Sequence, residues 1–143
     1  MNMYTGRMTG RVVLARVPEG ADLLASVNHM ASEAGFKSAS VQFIGAVRKA
    51  VVQVYDQSKR EYVTLSLAGP LEIVTGTGNI SLKDGQPFAH VHAVFSDLRG
   101  VCSGGHLAPG TEVFMAEVVL AEIDTDRPLE RRPDKTTGLS LWE

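Results

Sequence analysis

A chain of 143 residues is the length of a single domain, 1–143, and folding at this size buries roughly 70% of the surface that the unfolded chain exposes. One cysteine, Cys102, excludes an internal disulfide framework and fits a reducing cytoplasm. A net charge of −2 lacks the basic excess that most nucleic-acid-binding domains set against phosphate, and no apolar run approaches the ~20 residues of a bilayer crossing; the expectation is a cytoplasmic protein with no membrane partner.

Residues 11–17 form a β-rich run that Pro18 stops. Glu19-Gly20-Ala21-Asp22 then opens an amphipathic helix lasting to Ala34, with Gly35 just past its end. Leu23, Val27, Met30 and Ala34 share one face of it; His29 falls on the polar side and reads as a solvated histidine without a role. Beyond the helix nearly everything reads as strand. Residues 40–44 lead through Gly45 into 46–55, the polar stretch 56–60 turns, and 61–67 returns as the second arm of a hairpin. Gly69-Pro70 breaks the chain before 71–75, residues 76–81 continue extended, and Lys83-Asp84-Gly85 turns into the next strand. The last long strand is 113–123, and from about residue 124 a polar tail follows. One helix and six or so strands on short connections make an α+β domain built on an antiparallel sheet.

Three of the four histidines lie close together in the sequence. Pro87-Phe88-Ala89-His90-Val91-His92-Ala93 reads as a strand, on which His90 and His92 point to one face and Ala89, Val91 and Ala93 to the other. A third, His106, follows Gly104-Gly105, a glycine-rich loop whose backbone freedom lets it fold back toward the pair. Hydrogen-bonded histidines in a cleft are one account of this group. Two imidazoles on one strand face, however, repel each other when protonated, and a cation relieves them by taking neutral lone pairs. The site residues are therefore His90, His92 and His106, as ligands of a divalent metal, with zinc the default for imidazole and nickel, iron and copper left open.

Three histidines leave a fourth position open on zinc, as a catalytic site does. Glu72, Glu117 and Glu122 are candidates to fill it or to serve as base. Glu117 is the most unusual because it interrupts an apolar run, although a strand residue on the wet face explains it as well. Cys102 invites a cysteine–histidine nucleophile; inert packing is the simpler reading. Gly76-Thr77-Gly78-Asn79 lacks the lysine and following helix of a phosphate loop, so it reads as a bulge or bend between paired strands. Arg48-Lys49 and Lys59-Arg60 read as solvated hairpin charges.

Gly78-Asn79-Ile80-Ser81, then Asp84-Gly85-x-Pro87-Phe88-x-His90-x-His92, then Gly104-Gly105-His106-Leu107 resemble the PPC domain, also called DUF296, of plants and prokaryotes. Gly20-Ala21-Asp22-Leu23, Ile44-Gly45-Ala46-Val47 and Glu117-Val118 agree with it, and the tail from Arg131-Arg132-Pro133-Asp134 to Leu139 is similar to that of stand-alone bacterial members. The resemblance implies an antiparallel sheet flanked by helices, a homotrimer, and an association with DNA inherited from the plant members. Those members carry an Arg-Gly-Arg-Pro hook ahead of the domain. Gly6-Arg7 and Gly10-Arg11 lack its proline and second arginine, so insertion of an arginine arm into a minor groove is unsupported here. Three functions follow as expectations: a homotrimeric metal-binding protein whose ion is structural or ligand-capturing, a DNA-binding regulatory protein acting through the oligomer surface, and a metal-dependent enzyme on a small molecule.

Overall fold

The computed structural model describes residues 3–143, and its chain order is β1 (Gly6–Val17), α1 (Leu23–Ala34), β2 (Ala39–Asp56), β3 (Glu61–Lys83), β4 (Gln86–Ser96), β5 (Cys102–Leu107), β6 (Glu112–Thr125), β7 (Arg131–Pro133) and β8 (Ser140–Trp142). Six strands form one antiparallel sheet in the order β1-β6-β2-β3-β4-β5. The sheet curls far enough for Val52 and Gln53 of β2 to pair with Leu107 and His106 of β5, so that β2, β3, β4 and β5 close into a small ring.

The expected flanking helices reduce to one, because only residues 23–34 combine helical periodicity with capping. The Asp22 carboxylate accepts the Ala25 N–H at its start, and Gly35 adopts the left-handed conformation at its end. The helix begins at Leu23 rather than at Glu19, since the Asp22 cap excludes what precedes it. Its buried face, Leu23, Val27 and Ala31, packs into one core with Val41, Ile80, Val91, Phe95, Val118 and Leu120 of the sheet. Asn28 ties it to β4 by accepting the Ala89 N–H at 2.8 Å. No helix among the described residues is long and apolar enough to cross a membrane.

Three other expectations change. Gly69-Pro70 does not end a strand: β3 runs unbroken from Glu61 to Lys83, because the two residues fall where the β2–β3 register shifts between Val47 and Lys49. At such an irregularity a proline's missing N–H costs no ladder bond. Gly76-Thr77-Gly78-Asn79 is regular strand, and the β3–β4 bulge lies earlier, between Ile73 and Thr75. The polar tail is structured as well. It returns as the β7–β8 hairpin and reaches the main sheet through the Leu82 N–H, donated to the Leu129 carbonyl at 2.9 Å.

Candidate metal centre

Strand parity decides which β4 side chains meet the helix. Ala89, Val91 and Ala93 are at most 2% exposed and face the core, which turns His90 and His92 to the opposite face of the sheet. His106 arrives there by pairing: in the β4–β5 register it stands directly opposite His92, and on its other side it pairs with Gln53. The segment expected to be a flexible loop is therefore strand, and its glycines serve closeness rather than freedom. A Cβ on Gly104 would sit 2.2 Å from the Ala93 carbonyl oxygen, and one on Gly78 would sit 2.1 Å from that of His90. Glycine at these two points lets β5 and β3 lie close against β4 around the histidines.

The three rings are mutual neighbours. Centroids lie 5.2 Å apart for His90 and His92, 5.0 Å for His90 and His106, and 5.6 Å for His92 and His106. One ring nitrogen from each lies within 4.8 Å of the others, and no second such group of histidine, cysteine or acidic residues occurs among the described residues. The Tyr62 ring, 5.6 Å from that of His106, closes one side. The rings open onto a cavity of about 590 Å³.

A cation that the sequence reading left in the tail completes the arrangement. Arg131, on β7, donates from Nε to Ser81 Oγ at 2.8 Å, from Nη1 to the Ser140 carbonyl at 3.1 Å and from Nη2 to Asn79 Oδ1 at 3.2 Å. Nη2 also lies 3.2 Å from His90 Nδ1. Nothing in the local sequence marks Arg131, since β7 is three residues long and shows no period; the only signal was its place in the tail motif. Burial, then the adjacent Arg131 charge, then His106 and His92, push the His90 imidazole down to about 4. His106 is lowered by burial first, then by His92 and Arg131. Burial also lowers Arg131, against an opposing contribution from Tyr62. Near pH 7 the His90 and His106 rings are accordingly neutral, with a lone pair each to offer.

This donor set fits a divalent ion. His106 Nδ1 is buried without a hydrogen-bond partner, an arrangement that a metal bond would satisfy. Neutral imidazoles from a rigid strand pair suit zinc and its borderline neighbours. The other candidates lie elsewhere. Glu72 and Glu117 are exposed, and Glu117 stands opposite Arg16 on the outer strands. Glu122 accepts from Thr9 and pairs with Arg11 at 2.9 Å. Cys102 is exposed at the far end of β5, four residues or about 13 Å from His106. Arg48 pairs with Glu19 and Lys49 with Glu112, as hairpin charges do, and His29 is exposed on the helix.

The family model of the Plants and Prokaryotes Conserved (PCC) domain matches residues 4–124. A metal-containing protein of Archaeoglobus fulgidus is 39% identical, with a TM-score of 0.93 over 100% of this chain and 99% of that one. A plant- and prokaryote-conserved (PPC) protein of Pyrococcus horikoshii is 37% identical, with a TM-score of 0.89 over 100% of this chain and 96% of that one. A suspected DNA-binding protein of Bacteroides thetaiotaomicron shares the fold at 22% identity, with a TM-score of 0.85 over 99% and 98% of the two chains. No curated protein matches the chain.

Proposed function

The chain belongs to the Plants and Prokaryotes Conserved domain family, and on that premise we propose that it is a metal-binding protein holding a divalent ion, zinc by the preference of imidazole, on His90, His92 and His106. The observation that carries this is the convergence of three ring nitrogens within 4.8 Å from two paired strands. The metal-containing relative from Archaeoglobus fulgidus supports it at 39% identity. Three protein ligands would leave a coordination position open beside the cavity that the histidines line, so an ion held there could capture a ligand as well as brace β4 against β5.

Metal content of untagged protein, measured by mass spectrometry beside His92→Ala, tests the reading. A fixed stoichiometry in the parent that disappears in the variant is expected. A parent that carries no ion and takes none up on titration would overturn it.

The proposal includes assembly into a homotrimer. On the face of the sheet that carries the histidines, Leu14, Ile44, Val74, Val94 and Met115 are exposed, which suits burial against further copies of the chain. Sedimentation velocity would return about three chain masses; a monomer at micromolar concentration would refute the assembly. The DNA-binding reading has less behind it, because the Bacteroides protein shows the fold alone and Arg48 and Lys49 already have acidic partners. The enzymatic reading has less behind it as well, because Glu72, Glu117 and Glu122 do not line the cavity.

A further inference from the structure

We propose that the cavity beside the three histidines is a subsite for a small organic carboxylate, whose oxygens are shared between the open position of the metal and the guanidinium of Arg131. This rests on the metal reading above and adds the chemical class of the ligand.

Charge comes first. None of the residues lining the cavity is acidic, whereas Arg131 and Lys83 both are cationic. Arg131 is half-buried, and among the described residues it pairs with no carboxylate. Its hydrogen-bond partners, Ser81, Asn79, Ser140 and His90, carry no negative charge. A divalent ion on three neutral imidazoles adds two positive charges to the same cavity. A site with that sum and no internal counter-charge favours an anion at the vacant coordination position.

Placement comes next. Ser81, Asn79 and the Ser140 carbonyl fix the plane of the guanidinium, so its remaining donor capacity is aimed rather than free to wander. The contact between Nη2 and His90 Nδ1 sets this donor beside one of the residues that would hold the metal. If Nδ1 accepts from Arg131, then Nε2 holds the ring proton. Were His90 to hold an ion through Nε2, its ring proton would sit on Nδ1, which could then no longer accept; were it to do so through Nδ1, that lone pair would be taken. Either way Nη2 would lose an acceptor, and an N–H would be freed beside His90. A carboxylate with one oxygen on the ion would restore the lost bond through its other oxygen, as a charge-assisted one.

Size and walls select the class. The cavity of about 590 Å³ is lined by Val54, Phe88, Leu139 and Leu141 as well as by the polar groups. Apolar walls around one cationic anchor suit an organic acid better than a bare mineral oxyanion.

Cobalt(II)-loaded protein provides the test, because its visible absorption reports the coordination sphere. Glycolate and acetate titrated into it should change the spectrum saturably, and inorganic phosphate should do so more weakly or not at all. In Arg131→Gln the carboxylate affinity, measured with cobalt at saturation, should fall about 10-fold or more. Arg131→Lys, which keeps the charge but not the fork, should recover part of the loss and guard against misfolding as the cause. No uptake of cobalt would overturn the metal reading and this one with it. Cobalt bound with a spectrum indifferent to carboxylates would overturn the subsite alone. Unchanged carboxylate affinity in Arg131→Gln would remove Arg131 from it, and tighter binding of phosphate than of either acid would overturn the organic class.

Discussion

The two faces of β4 make the plainest comparison in this molecule. Toward the helix, Ala89, Val91, Ala93 and Phe95 are buried at 2% exposure or less, and they belong to the core that holds the sheet together. Away from it, His90 and His92 line a cavity with His106 and Arg131. The same eleven-residue strand therefore serves stability on one parity and chemistry on the other. Rigidity gained on the inner face is what fixes the imidazoles on the outer one, so the two roles are mechanically joined while their energetics stay separate.

That separation can be broken or sharpened by experiment. Phe95→Ala, deep in the inner face, should cost about 3–5 kcal/mol of unfolding free energy by urea titration, with metal stoichiometry unchanged in the protein that remains folded. His92→Ala should do the reverse. Metal affinity falls at least about 100-fold by competition with a chelating dye, while the melting temperature of the metal-free protein hardly moves. Loss of metal from Phe95→Ala at full folding would show that the faces are not separable.

Acidification toward pH 4 should act first through the outer face. His90 titrates near 4 in the folded chain, below the ordinary imidazole value of about 6.5. Between these values the unfolded chain binds a proton that the folded one refuses, so stability is lost as pH falls from 6.5 toward 4 and is level above. Urea midpoints of metal-free protein should follow that slope, and His90→Gln should make it shallower, with His106 supplying the remainder. The smallest effect belongs to the seam between the faces. Asn28→Ala leaves the buried Ala89 N–H without its acceptor and should cost about 1–2 kcal/mol, read from the same urea midpoints, with metal affinity intact.

Much of this was legible in the residues. The alternation of His90 and His92 with alanine and valine gave the strand and its faces, Asp22 and Gly35 gave the helix bounds to within a turn, and the paired motifs gave the family. His106 was assigned correctly to the group but for another reason, since glycines read as loop freedom turned out to allow close strand approach. The single covering helix was visible in the periodicity, whereas the expected second came only from the resemblance. Arg131 was hidden because its role depends on contacts 41 to 52 residues away along the chain, and three residues of strand leave no pattern to read.

The turn between β4 and β5 carries a further consequence. The Asp97 carboxylate accepts the N–H groups of Arg99 and Val101, at 2.8 and 2.9 Å, and so sets how many residues separate the two strands. Since side chains alternate, one added residue in this exposed turn would slide β5 by one place and rotate His106 into the core, whereas two would bring it back to the same face. The arithmetic of odd and even in a five-residue turn thus decides whether three intact histidines make a site at all.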